Sequence, residues 1–520
     1  MQAQALAQVP AAPAASASAP AASAAAPAAT PSGASRETTL PAIAVTAKPE
    51  TDANSLRALT TTVGRGNQEQ RDIPQSVTVV TDRLMQDRQV DTLNEALHLM
   101  GGISFLAAEG GEQDIRLRGF SISGDIYVDT IHDPAFYDRD MFNFERIELL
   151  RGSASMLFGR GSTGGVVNQV SKQAFLDTAN IVNFTAGNDG FLRFTGDFNV
   201  QTGETSAVRF NLMRNTADNH GNFIDKEGAA VNFRWGIGTP DELYASIFYL
   251  NNDNGMNYGL PWLRRNSTQA SANPSVMIPG LNPNNLYYGA PSDYNAGGAT
   301  YGTLGWLHRF DDGGEMRAQM RYGVYDRDQR ASTVRIAGAA LQPGGILATR
   351  ENFSNDTVLN RGTQNKIQSM ENLFAQSDLS SKFEALGFKH EVLTGVDFAW
   401  EKKIVRGART AAQGGMTIPA KPTTTIGGGG TGWVDEDARV IGKTGEFESL
   451  SAGVYAQDLV QVAPHWKLLA GLRYDAMSAQ YDTFNLTTNA VTNYQQSIYK
   501  MSNRFGVLFQ PSDRHSFHLS

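Results

Sequence analysis

Beyond Lys172 the chain alternates apolar and polar residues with a period of two. Leu192, Phe194, Phe198 and Val200 interleave with Arg193, Thr195, Asp197 and Asn199, and Val231, Phe233, Trp235 and Ile237 with Asn232 and Arg234. Met316, Ala318, Met320, Tyr322 and Val324 interleave with Arg317, Gln319 and Arg321, and Leu468, Ala470, Leu472 and Tyr474 with Arg473 and Asp475. That period is the signature of strands with one apolar and one polar face. Runs of roughly 9 to 11 residues suit a bilayer-spanning barrel, whereas a soluble sandwich uses shorter strands. Twelve such strands and the start of a thirteenth are predicted between about Asn180 and His515. Short connections near Gly203, Thr239-Pro240, 311–314, Leu386-Gly387, Pro464-His465 and 511–513 alternate with longer ones, the longest at about 252–302, 329–368 and 406–444. Short turns on one rim and long loops on the other predict an antiparallel outer-membrane β-barrel with the long loops outside the cell. The last strand has only begun at Ser520, so the barrel is expected not to close within this sequence. An open edge in lipid leaves N–H and C=O groups unsatisfied, and a C-terminally truncated chain or partial record is expected.

From Arg71 to Lys172 the pattern is mixed. Gln75 to Val80 alternates as a strand, and Thr92-Leu93-Asn94-Glu95 fits a capping box. Leu93, Ala96, Leu97 and Met100 share one face of a short helix that Gly101-Gly102 ends. Strands are predicted at 114–120, 125–130, 145–150 and 166–170, giving a small α+β domain.

Composition narrows the function. A net charge of −8 does not favour a nucleic-acid surface. The absence of cysteine rules out disulfides and thiolate metal sites. The eight histidines show no metal-ligand spacing, so no metal site and no cofactor are expected. The first 35 residues are Ala, Pro and Ser with scattered Gln and carry no charge, a composition that stays disordered. Gly159-Arg160-Gly161-Ser162-Thr163-Gly164 fits G-x-G-x-x-G, but the β-branched run Val166-Val167 follows where a dinucleotide loop needs a helix. The glycines are instead expected to let backbone turn tightly and approach the barrel wall.

Arg71-Asp72-Ile73-Pro74-Gln75-Ser76, Ile115-Arg116-Leu117-Arg118-Gly119-Phe120 and Phe144-Glu145-Arg146-Ile147-Glu148-Leu149-Leu150-Arg151-Gly152, with the run from Ser155 to Asn168, resemble the plug of TonB-dependent siderophore receptors. The resemblance implies a leader at 1–37, a TonB box and linker at 38–64, a plug at 65–174 and a barrel of the 22-stranded family, incomplete here, at 175–520. It assigns TonB binding to Leu40, Pro41, Ala42, Ile43, Ala44, Val45, Thr46 and Ala47, an uncharged, β-prone segment able to add a strand to a partner's sheet. It implies active uptake of a ferric siderophore, catecholate in type, by a monomer in outer-membrane lipid, with no enzymatic activity. Haem, cobalamin or another metal chelate, and a passive porin, remain alternatives.

Ferric catecholates are anionic and aromatic, so a site needs cations and aromatic faces. The resemblance places apical plug loops near 105–113 and 121–140, with Phe105, Phe136, Tyr137 and Arg139 as candidates; packing beneath the loops is the plain alternative for both phenylalanines. Tyr258, Trp262, Arg264, Arg265, Tyr287, Tyr288 and Tyr294 gather aromatics and charge in the third long loop, against loop packing or an interfacial girdle. Asp129-Thr130-Ile131-His132-Asp133 stands where Asp-Gly-Met-Arg-Asp is usual in the family, which puts catecholate specificity in doubt. The resemblance also implies that Arg118 and Arg151 are the plug arginines that pair with carboxylates on the barrel wall.

Overall fold

A computed structural model describes residues 55–66, 68–106, 114–257, 260–264, 275–278 and 287–520. The segment 40–47, together with Tyr258 and Arg265, lies outside these.

The plug begins with a hairpin, β1 (Thr60–Thr61) and β2 (Gln68–Glu69). Its main sheet has the order β3 (Val77–Thr81), β9 (Phe144–Arg151), β10 (Gly165–Ser171), β7 (Ile126–Val128), β8 (Ile131–His132). A smaller sheet joins β4 (Ile103–Leu106), β5 (Asp114–Leu117) and β6 (Phe120–Ser121). Three short helices, α1 (Asp82–Asp87), α2 (Leu93–His98) and α3 (Ser155–Phe158), complete it. The predicted capping box forms: Thr92 accepts from the Glu95 amide and Glu95 from the Thr92 amide. Leu93, Ala96, Leu97 and Met100 are buried in one cluster with Ile115, Leu117, Ile147 and Leu149.

No helix follows the glycine motif. Gly165 opens β10, and a Cβ on Gly164 would stand 2.9 Å from Phe120 Cβ and 3.1 Å from the Leu117 carbonyl. The close approach expected toward the barrel wall is therefore made mainly within the plug; only Gly159 of the motif meets the wall, where its Cβ would stand 2.9 Å from an Arg473 nitrogen.

The rest is one antiparallel sheet whose path runs through thirteen strands. These are β11 (Ala179–Ala186), β12 (Leu192–Gln201), β13 (Ser206–Ala217), β14 (Ile224–Trp235) and β15 (Asp241–Gly255). In the third long loop β16 (Trp262–Arg264) pairs with β17 (Ser275–Met277). The wall continues with β18 (Tyr294–Arg309), β19 (Glu315–Ile336), β20 (Val358–Ala385) and β21 (Phe388–Ala408). A two-residue strand, β22 (Thr424–Thr425), adds to β20 before β23 (Ile441–Ala463), β24 (Trp466–Phe484), β25 (Val491–Ser512) and β26 (His515–Leu519).

The alternation sorts as the sequence predicts. Leu243, Ile247, Leu304, Leu450 and Leu472 stand exposed on the outer face, while Asn211, Asn232, Gln319, Arg321, Asn372, Glu401 and Arg473 are buried on the inner one. Several strands run far longer than a bilayer requires: β19 has 22 residues, β20 28 and β23 23. Past the hydrocarbon both faces meet water, so apolar alternation fades while the hydrogen-bonded ladder goes on. Sequence pattern therefore placed the strand ends too early. The long loops fold on themselves: Leu263, Ile278, Tyr288, Ala348, Leu359 and Ile426 form a separate apolar cluster across three of them.

Candidate functional site

Thr130 and Asp129 adopt left-handed backbone angles at the β7–β8 turn, after which 133–140 crosses the plug toward the barrel's inner wall. This loop is braced from within. Asp133 accepts from the Arg139 guanidinium and, at 2.7 Å, from the Tyr137 hydroxyl, while Arg139 Nη2 donates to the Asp133 and Ala135 carbonyls at 2.8 and 2.9 Å. Arg139 is only 2% exposed and stacks 4.2 Å from the Tyr137 ring centre. Its described hydrogen bonds all stay inside the loop, so Arg139 braces the loop while also lining the cavity beside it.

Beside the loop lies a cavity of about 220 Å³, lined by Asn94, Phe136, Tyr137, Asn252, Asn295 and Arg327. An adjoining cleft brings Phe136 together with Gln368, Met370 and Lys403. Strand register explains the convergence: Tyr325 pairs with Met370 and Met370 with Lys403, and one row nearer the long loops Arg327 pairs with Gln368. Lys403 Nζ stands 5.2 Å from the centre of the Phe136 ring. The chamber therefore joins an aromatic face, several amides and the cations Arg139, Arg327 and Lys403 with the carboxylates Asp138 and Asp326, and its cation–aromatic side suits an anionic ligand with flat rings. A larger depression, about 810 Å³, lies toward the outer side of the wall among Leu304, Met320, Val396, Phe398 and Val454, so size alone does not locate the site.

The other expected contacts sort differently. Phe105 is half-buried, 4.4 Å from the His98 ring, and packs on the plug core. Tyr287 and Tyr288 are buried, with hydroxyls donating to the Ala290 and Ile426 carbonyls at 2.7 and 2.8 Å, so loop packing takes the place of ligand contact for both. Burial also pushes the Tyr287 hydroxyl's pKa well up. Tyr294 donates to Asp437 at 2.9 Å with Arg330 over its ring, and Trp262 is exposed beside the backbone of Arg264. Arg327, Lys403, Asn252 and Asn295 escaped the sequence reading because alternation assigns a residue to the inner face without giving its height.

Arg118 and Arg151 do not pair with the wall. Arg151 donates to Thr78 Oγ1 and, at 2.8 Å, to the Gly101 carbonyl, both in the plug. Among the described residues Arg118 forms no ion pair, and it lines a cavity of about 520 Å³ with Arg151 and Arg504. Burial, reinforced by the Arg118 charge, holds the Arg151 pKa below its ordinary value. Other pairs tie plug to wall. Arg193 grips Asp140 with two nitrogens at 2.7 and 2.8 Å and reaches Asp91 at 2.8 Å. Lys226 meets Asp138 at 2.6 Å, Arg321 meets Asp129 at 3.2 Å, Lys467 meets Asp72 at 2.9 Å, and Arg160 meets Glu401.

A small mixed domain set against a two-faced antiparallel wall, with ion pairs between them, defines a plugged barrel receptor. The chain belongs to the TonB dependent receptor-like, beta-barrel family, whose pattern matches residues 232–520, and residues 69–166 match the TonB-dependent Receptor Plug Domain. This is a family of transport receptors rather than enzymes, and it places the chain in the outer membrane of a Gram-negative bacterium. The chain is 28% identical over 428 residues to the Catecholate siderophore receptor Fiu of Escherichia coli (strain K12), a match covering 79% of this chain and 54% of that protein. It is 25% identical over 470 residues to the Probable TonB-dependent siderophore receptor PiuA of Acinetobacter baumannii, covering 86% of this chain and 60% of that one. The chain spans about half the length of the curated Fiu relatives it matches. The crystal structure of PiuA superposes with a TM-score of 0.77 at 22% identity, covering 89% of this chain and 66% of that one. The open form of Fiu from E. coli K12 superposes with a TM-score of 0.73 at 24% identity, covering 86% and 69%.

Proposed function

We propose that the protein is a TonB-dependent receptor for active uptake of ferric siderophores of catecholate type. The observation that carries this reading is Lys403 over the Phe136 ring, with Arg327 beside it in the chamber. A tris-catecholate iron complex presents negative charge and flat rings together, and a cation paired with an aromatic face meets both. Phe136 and Tyr137 line the chamber, and the further ligand contacts proposed are Trp262, Arg264 and Tyr294, with Tyr258 and Arg265 of the same third-loop sequence. The relatives' names, a catecholate receptor and a siderophore receptor, support the same ligand class. Iron arrives already filled by its chelator, so no cofactor is needed and no reaction is catalysed.

The segment Leu40 to Ala47 recruits TonB, and ligand binding favours the state in which that segment is offered, since coupling across the plug requires tighter binding to one state than to the other. The receptor works as a monomer in outer-membrane lipid. Uptake of iron-55 from single purified siderophores under iron limitation tests the reading. Catecholate-dependent uptake that vanishes on deletion of 40–47 is expected; uptake that survives the deletion marks a passive porin, and uptake of haem or cobalamin alone replaces the ligand class.

A further inference from the structure

Arg65 is the first residue along the described chain to ion-pair with the barrel wall. It sits at the tip of the β1–β2 hairpin, whose strands share only two residue pairs, Thr60 with Glu69 and Thr61 with Gln68. A ribbon this short does not hold itself together in water. Its order must come from what grips the tip, and the grip has two sides. On the plug side the Glu148 carboxylate accepts from the Thr62 amide and from the Thr62 hydroxyl, both at 3.0 Å. On the wall side Arg65 Nη1 donates to Asp397 Oδ2 and to the Tyr455 hydroxyl, both at 3.1 Å, and lies 3.7 Å from Asp378 Oδ1.

The guanidinium is sandwiched 5.0 Å from the Tyr455 ring and 5.2 Å from the Phe158 ring, and the residue is buried. Its backbone takes φ +66°, a left-handed angle that an arginine adopts only when its surroundings impose it. Val63 is buried in the same apolar cluster as Leu393 and Tyr455 of the wall. Asp397 keeps a second cation, since two Arg473 nitrogens reach it at 2.7 and 2.8 Å. Asp378 forms no other ion pair among the described residues. Removing Arg65 would therefore strand a buried carboxylate as well as free the hairpin.

We propose that Arg65 is a latch that pins the β1–β2 hairpin to the barrel wall and carries the first plug-to-wall ion pair to meet a pull on the N-terminal segment. A latch built from one guanidinium and two carboxylates holds while dry. Once parted, the charged groups on each side are stabilised by water, so the apolar surface that release uncovers at the wall is confined to the small patch of Leu393 and Tyr455 beneath Val63. The hairpin can then detach, giving up Val63's place beside Leu150 and Val166, while the larger apolar cluster of the five-stranded plug sheet, which holds Val80, Val128, Ile147, Leu149 and Val167 and no hairpin residue, keeps the sheet folded.

The second half of the proposal rests on Leu40 to Ala47 being the segment that is pulled; the first half does not. Amide hydrogen exchange on the full chain in lipid nanodiscs tests the latch directly. In Arg65→Gln, amides of 60–69 are expected to exchange at least about tenfold faster than in the native protein, with those of β9 and β10 unchanged. Arg65→Lys, which keeps the charge and loses the planar fork, should fall between the two. Unchanged exchange at 60–69 overturns the latch, and so does an equal acceleration in β9 and β10, which marks general loosening. Should Arg65→Gln fail to fold, Tyr455→Phe removes one acceptor alone and must still speed the same amides; no change there overturns the proposal. Uptake that survives deletion of 40–47 removes the pulling role while leaving the exchange result standing.

Discussion

In the plug, Leu93, Leu97, Ile115, Leu117 and Ile147 are sealed from solvent, whereas in the barrel wall Leu243, Ile247, Leu304 and Leu472 stand more than half exposed. Both regions are built from strands, and both obey the same preference of apolar groups to leave water. They differ in where the refuge lies. The plug finds it inside itself, and the wall finds it in the bilayer. The wall's inner face is consequently polar, and the plug meets it through ion pairs such as Arg193 with Asp140, supplemented by apolar patches where Phe142 and Phe144 contact Phe248, Tyr137 meets Tyr325, and Val63 packs with Leu393 and Tyr455. Charged seams of this kind fix position and register more than they add stability, and they part in water at little net cost.

Breaking the seam should give the largest effect. Arg193→Leu leaves Asp140 and Asp91 without their shared cation and is expected to destabilise plug docking by about 3–5 kcal/mol, read as the denaturant midpoint for plug release. Leucine truncation then separates the two regions. Leu97→Ala should cost the plug ~2–5 kcal/mol through lost burial and the cavity left behind, while Leu304→Ala, facing lipid tails that close around it, should change wall stability by under about 1 kcal/mol in urea titrations from vesicles. Equal costs at the two sites would contradict opposite refuges.

Ligand binding sharpens the picture from the polar side. Lys403→Met removes the cation over Phe136 and should weaken siderophore binding by about 1–2 kcal/mol, measured by fluorescence titration, with the urea midpoint of the wall unmoved. The smallest effect concerns pH. Burial outweighs the pull of Arg193 and raises Asp91 from an ordinary 3.8 to about 6. The folded plug therefore keeps a proton that the unfolded chain surrenders. This group's contribution to stability is complete below about pH 4 and is lost as pH rises through about 6. Asp91→Asn should flatten that part of the stability profile.

Much of this contrast could be read in the sequence. The Thr92–Glu95 box, the buried helix face and the thirteen-strand path with its alternating connections all rest on local rules, namely capping, periodicity and turn chemistry. What escaped were choices of partner. Arg118 and Arg65 look alike in sequence, yet Arg65 is the one that reaches the wall, because a hairpin tip and not a residue type decides which guanidinium crosses the seam. Arg139 was legible as important, but its burial depends on how 133–140 closes on itself. Lys403 and Arg327 meet Phe136 only through cross-strand register, which alternation alone does not fix.

The length of β20 carries one more consequence. Its 28 residues, at ~3.3 Å each, give a contour of roughly 90 Å. Even at a tilt of ~45° this rises about twice the ~30 Å hydrocarbon thickness. A visiting molecule arriving from the medium thus meets a wall that stays hydrogen-bonded strand to strand well past the hydrocarbon. Less conformational freedom remains to be surrendered at the moment of capture, so the entrance is shaped before anything comes to fill it.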